Sequence, residues 1–318
     1  MQAFSRRMAS TALLQTRRSL STASKPSSAP SFGSRSVAGL VSGGAFLATS
    51  AAYLGNSTAA RSLATSAVPS LAAGLEEPVK LYQYDVCPFC NKVQAFLEYH
   101  GVPYEKVEVN PLTKAEIKFS DYKMVPFAKV GDRQINGSAA IIESFLGESS
   151  SKLSEDEKKW FSWVDDHLVH VLPVNIYRTP GEALQSFDYI TSNSNFSAWQ
   201  KFSIRVSGAA IMFLIAKRSM KKYNLGDDPR KALFDAVEKW ADEGLDGKLF
   251  HSGQDTPDTA DLAVYGVLRS IEGNYGTWSD LTDADLPHKD AFWAWYKATK
   301  SLVDANREKT QVTSAAQE

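Results

Sequence analysis

The feature that most restricts the fold of this 318-residue chain is a Cys-Pro-Phe-Cys motif that holds its two cysteines, Cys87 and Cys90. Before the motif, alternating polar and apolar residues from Val79 to Tyr84 predict a strand. After it, the apolar residues between Lys92 and Tyr99 recur with helical spacing. Both cysteines are therefore predicted at the point where a strand turns into a helix.

That position favours a reactive thiol at Cys87. The first turn of a helix presents unpaired backbone N–H groups and the positive end of the helix dipole, and both stabilise a thiolate. Pro88 suits an early helical position, and Cys90, about one turn further on, is placed to resolve a mixed disulfide. Two unrelated core cysteines are a weaker alternative, because a chain with two cysteines rarely places both between a strand and a helix. A zinc site with His100 as the nearest histidine is weaker still, because the chain has no second cysteine pair.

Charge is distributed unevenly along the chain. Residues 1–75 contain seven basic and no acidic residues, which leaves 28 basic and 36 acidic residues in the remainder, a net charge of −8. An acidic globular part argues against nucleic acid as a partner. The Arg- and Ser-rich composition of residues 1–75 is typical of a transit peptide and predicts a mitochondrial location. Two cysteines in one redox motif do not make a disulfide framework, so we expect a reducing compartment.

The stretch 37–54 leaves an alternative open. It is uncharged and about long enough to cross a bilayer, but glycine, serine and threonine dilute it. A retained anchor in an organelle or Golgi membrane is therefore the rival to a transit peptide that is removed, and a plain tail is the third option.

Residues 76–148 predict an α/β domain in the order β-α-β-α-β-β-α. Strands are predicted at residues 104–109, 124–130 and 133–135, with a short helical piece at 115–119. Asn136, Gly137 and Ser138 open a last helix from Ala139 to Phe145, and Ser138 is predicted as its N-cap.

Residues 149–154 predict a polar linker, residues 155–308 an all-helical domain, and residues 309–318 a tail. Helices are predicted at residues 155–172, where Pro173 should end or kink the helix, and at 196–223, 229–243, 259–268 and 292–303. An Asp258–Asp261 pair predicts the cap of the fourth of these helices.

The helix predicted at residues 196–223 has a very apolar middle, Gly208 to Ala216. Nine residues are too few to cross a membrane, so a buried helix is predicted. The residues expected to face the core are Phe202, Val206, Ala209, Ala210 and Phe213.

The order of the first domain, with Cys-Pro-Phe-Cys after its first strand, resembles the glutaredoxin and glutathione transferase families. The resemblance implies a thioredoxin-like N-terminal domain, an all-α C-terminal domain, and glutathione as cofactor. It implies a cis peptide between Val125 and Pro126, whose backbone pairs with glutathione. Ser138 would hold the γ-glutamyl carboxylate, but the preceding residue is Gly137 where those families have an acid or Gln, which weakens that contact.

The segments Leu81–Cys90, Val107–Pro111, Ala115–Ser120 and Ala260–Arg269 are similar to a family of membrane-associated prostaglandin E synthases. This resemblance covers nearly all of residues 78–300. It implies a small apolar endoperoxide as substrate, a homodimer, and a family member that binds haem together with glutathione.

Two activities fit the same residues. In an endoperoxide isomerase, Cys87 or bound glutathione would attack the substrate, Tyr84 would donate a hydrogen bond, and Phe89 would line the pocket. In a glutathione-dependent oxidoreductase, Cys87 would attack a disulfide substrate and Cys90 would resolve the product. A glutathione- or haem-binding scaffold without catalysis is the third alternative.

The second domain supplies further candidates for the substrate pocket. Tyr177 and Arg178 can contact an acidic substrate, although an Arg178–Glu182 salt bridge is an equal alternative. His167 and His170 share a helix face and can meet a metal or a haem propionate. A solvated or partly buried helix face is the simpler interpretation, and we predict no metal site because no third ligand is evident.

Overall fold

The computed structural model describes residues 77–188 and 197–311. The predicted transit segment 1–75, its apolar stretch 37–54 and nearly all of the tail after Thr310 lie outside these residues. Within the two described ranges, no helix has both the length and the apolar character needed to cross a membrane.

The first domain is built on a four-stranded mixed sheet in the order β2-β1-β3-β4. Its strands are β1 (Val79–Gln83), β2 (Tyr104–Glu108), β3 (Phe127–Val130) and β4 (Arg133–Asn136). β1 and β2 are parallel, so a crossover helix must join them, whereas the other two pairs are antiparallel. The predicted element order is confirmed, except that residues 124–126 precede β3, since Pro126 cannot donate to a ladder.

Two helices complete this domain: α1 (Pro88–Tyr99), which makes the crossover, and α2 (Ser138–Leu146). α1 is buried on all sides, including the polar residues Lys92 and Glu98. The reason is that helices of the second domain cover the part of α1 that the sheet leaves open.

The close approach between the domains depends on Gly266. A Cβ added there would lie 2.7 Å from the Cα of Lys92 and 2.8 Å from the carbonyl oxygen of Asn91. Only glycine lets the two helix backbones pack at this distance.

The second domain is helical, as predicted. Its helices are α3 (Glu155–Trp163), α4 (Val169–Ile176), α5 (Pro180–Gln185), α6 (Ala198–Ser203), α7 (Ala209–Lys222), α8 (Pro229–Lys239), α9 (Thr259–Arg269), α10 (Tyr275–Asp283) and α11 (Lys289–Thr310). π-turns join α3 to α4 (Val164–Leu168) and α6 to α7 (Ile204–Gly208), and a third follows α8 (Trp240–Gly244). The predicted linker is a 3₁₀ turn, Gly147–Lys152.

The capping prediction for α9 is confirmed, but several helix ends differ from the sequence prediction, those of α4 and α11 most clearly. Asp258 caps α9 in a reciprocal capping box with Asp261. Helix α4 continues past Pro173 to Ile176, because proline removes one hydrogen bond while Val174 and Ile176 gain burial. Helix α11 runs seven residues beyond the predicted end at Val303, to Thr310.

The core face predicted for α6 and α7 is largely wrong. Ala209 is buried and Phe213 partly buried, but Phe202 is 59% exposed, Val206 is 47% exposed, and Ala210 also faces solvent. The π-turn adds a residue to the helical repeat, so residues before and after it no longer share one face at α-helical spacing. The residues that are buried are Ile204, Gly208, Ala209 and Ala216.

Candidate dithiol active site

Cys87 occupies the N-cap of α1, with an extended backbone (φ −79°, ψ 121°), and Pro88 follows inside the first turn. The Cys87 N–H donates to the carbonyl of Tyr84 over 3.0 Å, which closes the turn between β1 and α1. Cys87 is partly exposed and Cys90 is buried. Both cysteines therefore lie at the strand-to-helix junction, about one turn apart, as predicted, and the structure adds that the first is accessible and the second enclosed.

The two thiols have opposite pKa shifts. A hydrogen bond from the Cys90 thiol, together with the backbone N–H groups of Cys90 and Phe89, lowers the pKa of Cys87 although its partial burial opposes this. Burial, and then the hydrogen bond to Cys87, raises the pKa of Cys90 well above its usual value. Of the two sulfurs, Cys87 is thus the one favoured as a thiolate, and the Cys90 thiol donates a hydrogen bond to it.

Two tyrosines surround the thiolate. Burial and the charges of Cys87 and Cys90 raise the pKa of Tyr84 to about 12. Burial and Cys87 also raise the pKa of Tyr177, which comes from the C-terminal end of α4 in the other domain. Both hydroxyls stay protonated at neutral pH and can donate, although the hydrogen bonds of the described residues do not join the Tyr84 hydroxyl to Cys87.

Asn91, which the sequence analysis missed, holds the loop that carries Cys87. Its side-chain N–H donates to the carbonyl oxygens of Asp85 (2.7 Å) and Cys87 (3.1 Å). Its own Oδ1 accepts from Arg269 Nε at 3.3 Å. The one sequence signal for Asn91 is its position: a polar residue directly after the second cysteine, in a helix with an apolar face. Arg269 gives no such signal, because a cation at the C-terminal end of a helix is explained equally well by the helix dipole.

Glu108 supports the same loop from β2. Its Oε1 accepts from the Asp85 N–H at 3.1 Å, and Gln83 Nε2 donates to its Oε2 at 3.4 Å. Burial and the nearby Asp85 raise the pKa of Glu108 to about 8. This carboxyl group is also absent from the sequence analysis, because a glutamate in an alternating strand normally faces solvent.

The peptide between Val125 and Pro126 is cis, as the resemblance implied. The Gly137 N–H donates to the Pro126 carbonyl oxygen over 3.0 Å, so this loop lies beside the start of α2. Tyr122 lies between this loop and the dithiol, with its hydroxyl near Gly137. Burial is the main cause that raises the pKa of Tyr122, and Cys90 and Cys87 raise it further.

The predicted N-cap of α2 is wrong by one residue. Gly137 is the N-cap and Ser138 is already inside the helix, without a side-chain cap hydrogen bond. Gly137 has φ +86°, a conformation that L side chains rarely adopt. Glycine adopts this backbone without strain.

His170 lies across from Phe89 of the dithiol loop, with ring centroids 6.3 Å apart, and stacks on Tyr223 at 3.7 Å. Burial and Lys222 lower the pKa of His170. His167 packs separately against Trp163. In the part of the chain that the structure describes, no cluster of three or more His, Cys, Asp or Glu side chains is arranged for a metal ion.

Arg178 is paired with carboxylates of its own domain. Its guanidinium makes paired hydrogen bonds to Glu182, including NH2 to Oε1 at 2.7 Å, and also lies 3.8 Å from Asp280. The salt-bridge alternative is therefore the one observed, because Glu182 is one helical turn away. Of the pocket candidates, Tyr177 and His170 lie beside the dithiol.

The fold and the site define a two-domain protein of the glutathione transferase class with a Cys-x-x-Cys dithiol. A family model described as the glutathione S-transferase N-terminal domain matches residues 81–152. The chain is 39% identical over 253 residues to prostaglandin E synthase 2 of Danio rerio and 38% identical over 244 residues to that of Mus musculus. It belongs to the prostaglandin E synthase 2 family.

These matches cover 64% and 61% of this chain, and it spans 67% and 63% of the two relatives. Among solved structures, it is similar to a beta-etherase from Sphingobium sp. strain SYK-6 (TM-score 0.48, 14% identity, 72% of this chain and 100% of the other). It is also similar to glutaredoxin 2 from Salmonella typhimurium in complex with glutathione (TM-score 0.45, 14% identity, 74% and 100%).

Proposed function

We propose that this chain is an isomerase that converts prostaglandin H, an endoperoxide, into prostaglandin E. The observation that carries the proposal is the lowered pKa of Cys87 at the N-terminus of α1 in a member of this family. A thiolate is a soft nucleophile suited to a weak O–O bond, and its partner Cys90 keeps it ionised without being consumed.

The reaction balances without an external oxidant. Cys87 Sγ attacks the endoperoxide oxygen on C9, an S–O bond forms, the O–O bond breaks, and the oxygen on C11 takes a proton. The C9 proton then leaves, the C9 carbonyl forms, and the S–O bond breaks to return the thiolate. One proton is gained and one is lost, so the step is an isomerisation.

Tyr84 and Tyr177 are the candidate donors to the oxygen that leaves on C11. Both hydroxyls are neutral at pH 7 because their pKa values are raised, and both lie close enough to Cys87 to share its electrostatic field. A preorganised neutral donor stabilises a developing alkoxide more effectively than water does.

Glutathione fits the first domain as the cofactor. The residues that would hold it are Val125, through its backbone beside Pro126, and Ser138 in the uncapped first turn of α2. Free N–H groups at a helix N-terminus favour a carboxylate. Bound glutathione would supply a second thiol next to Cys87.

Haem fits this site less well. His170 is engaged in stacking on Tyr223, and His167 packs on Trp163 instead of joining it. The described residues therefore present no assembled set of haem ligands, and the proposed reaction uses none.

A glutathione-dependent oxidoreductase is the second candidate, favoured by the hydrogen bond between the two thiols. Cys87 would attack a disulfide and release one thiol, Cys90 would then attack Cys87 and release the other, and two glutathione molecules would reduce the Cys87–Cys90 disulfide. This route requires both sulfurs, whereas the isomerisation requires only Cys87.

Two variants separate these functions in the full chain. Cys87→Ser is expected to abolish both prostaglandin E formation and disulfide reduction. Cys90→Ser is expected to retain at least a third of the isomerase rate and to lose reduction that depends on two thiols. Full isomerase activity in Cys87→Ser would overturn the nucleophile assignment, and equal loss of both activities in Cys90→Ser would favour the oxidoreductase.

We also propose that residues 1–75 direct the chain to mitochondria and that the folded part forms a homodimer. The support is the acid-free, Arg- and Ser-rich composition of that segment and the family membership. Import into isolated mitochondria, followed by N-terminal sequencing of the product, tests the first point. A product that keeps residues 37–54 would instead favour the membrane anchor in an organelle or the Golgi.

A further inference from the structure

The helices α6 and α7 carry a continuous row of exposed apolar side chains, here called the α6–α7 stripe. Its members are Trp199 (74% exposed), Phe202 (59%), Val206 (47%), Ile211 (49%), Leu214 (66%) and Ile215 (46%). Soluble proteins rarely leave so many large apolar side chains of one element in water, so the stripe requires a partner.

The π-turn between α6 and α7 aligns this row. Trp199, Phe202 and Val206 follow the spacing of an α-helical face, and Ile211 comes five residues after Val206, beyond the π-turn Ile204–Gly208. Leu214 and Ile215 then continue the row along α7. The opposite side, with Ile204, Gly208, Ala209 and Ala216, is buried against the domain.

All the charged residues of these two helices are basic. Residues 198–222 contain six basic and no acidic residues, whereas the chain after residue 75 is acidic overall. Lys217, Arg218, Lys221 and Lys222 are exposed, and the ion pairs among the described residues include none of these four. A basic helix with an exposed apolar side has the composition of helices that bind in the plane of a membrane surface.

We propose that the α6–α7 stripe is a lipid-binding surface that rests on an anionic bilayer, with the apolar row in the interface and the basic residues on lipid headgroups. No described helix can span a membrane, so the contact is superficial. A second copy of the chain is the less favoured occupant, since two uniformly basic helices that met across a two-fold axis would repel each other.

This surface continues to the proposed active site. Tyr223 caps the C-terminal end of α7 and stacks on His170, which faces Phe89 of the dithiol loop. Lys222 donates to the Tyr223 hydroxyl over 2.8 Å. The C-terminal end of α7 is therefore connected to the dithiol loop through the ring contacts of Tyr223 and His170.

Vesicle sedimentation of the full chain tests the proposal, because any contribution of residues 1–75 is common to all variants. Phe202→Ser/Leu214→Ser is expected to weaken binding to phosphatidylcholine vesicles with 30% phosphatidylserine by roughly tenfold per side chain. Lys217→Gln/Lys221→Gln is expected to weaken binding to these anionic vesicles by roughly fivefold per residue. The same variant should not change binding to vesicles of pure phosphatidylcholine. The control variants, Leu112→Ser/Met124→Ser and Lys158→Gln/Lys159→Gln, change apolar and basic residues outside the α6–α7 stripe and should bind as the unaltered chain does.

A direct contact measurement covers the case in which residues 1–75 bind so strongly that sedimentation cannot distinguish the variants. Brominated lipids quench tryptophan fluorescence on contact, and a quenched component present in the unaltered chain should disappear in Trp199→Phe. If that component is absent, or if Phe202→Ser/Leu214→Ser converts a dimer into a monomer by sedimentation velocity without changing vesicle contact, the stripe is not a lipid surface. The second result would assign it to a second copy of the chain.

Discussion

Arg269 of the helical domain donates from Nε to Oδ1 of Asn91 over 3.3 Å, and Asn91 in turn holds the carbonyl oxygens of Asp85 and Cys87. The geometry of the nucleophile loop is thus fixed from the second domain, not only from its own helix. Gly266 makes this possible, because it brings α9 against the backbone of α1. The two domains therefore form one functional unit around the dithiol.

The first prediction concerns the ion pair between Arg269 and Glu98, two side chains that are almost fully buried (NH1 to Oε2, 2.5 Å). Burial opposes ionisation of Glu98, but Arg269, Tyr104 and Arg307 together outweigh it and lower the pKa of the carboxyl group. Arg269→Met should lower the free energy of unfolding by about 3–5 kcal/mol, because it leaves a buried charge without its partner. Urea unfolding monitored by circular dichroism measures this change.

Two further variants make that test specific. Arg269→Met/Glu98→Gln should recover part of the loss, since the remaining buried group is then neutral. Arg307→Met removes a more exposed partner, 3.4 Å from Glu98, and should cost about 1 kcal/mol or less. Additive effects in the double variant would contradict the assignment of the cost to an uncompensated charge.

The second prediction concerns Asn91. Asn91→Ala should slow alkylation of Cys87 at pH 7 severalfold, since the loop loses both hydrogen bonds that hold its carbonyl groups and the thiolate loses its aligned N–H donors. The matched control is Asn306→Ala, which removes an amide that donates to the carbonyl of Tyr99 at the other end of α1 (3.1 Å). If both variants slow alkylation equally, the effect comes from α1 as a whole rather than from the loop.

The third prediction concerns the hydrogen bond between the thiols, the largest contribution to the lowered pKa of Cys87. Cys90→Ala removes the donor and should move the midpoint of the alkylation rate against pH upward. Cys90→Ser keeps a hydroxyl donor and should move it less. A midpoint that is the same in both variants and in the unaltered chain would mean that the helix N-terminus alone stabilises the thiolate.

The first domain was predictable from sequence because its signals are local. The strand before Cys87, the helix after Cys90 and the order of the remaining strands follow from alternation and turn residues within short windows. The cis peptide before Pro126 came from the family resemblance and was not derivable from spacing. The site roles of Val125 and Ser138 in holding glutathione remain predictions.

The second domain shows where local reasoning fails. An α-helical period placed Phe202 and Val206 in the core, but the π-turn at Ile204–Gly208 shifts the phase and turns them toward solvent. Arg269 and Asn91 are joined only by the packing of distant segments, 178 residues apart in sequence. The packing of the whole domain decides which side chains face the core on either side of a π-turn and which residues meet between domains. A single sequence carries no periodic signal for either.

The last prediction is a pH dependence of stability that arises at His251. Its Nδ1 lies 2.6 Å from Asp258 and its Nε2 lies 3.0 Å from Asp156. Burial opposes protonation of this histidine, but the two carboxylates outweigh it and raise the pKa to about 9. The folded protein therefore binds this proton more tightly than the unfolded chain does, whose ordinary value is near 6.5.

The sign follows from that difference. The stabilisation by His251 is fully present below pH 6.5 and is lost as pH rises to about 9. His251→Gln should therefore lower the free energy of unfolding by about 2–3 kcal/mol at pH 6. At about pH 9.5 the charge contribution of His251 is almost absent, so the loss should be much smaller. Urea unfolding across that pH range measures the difference. His100→Gln is the control, because burial lowers the pKa of His100 to about 4 and confines its pH effect to a range below 6.5. A cost for His251→Gln that does not change between pH 6 and 9.5 would show that the histidine acts through packing against Trp240 and not through its charge.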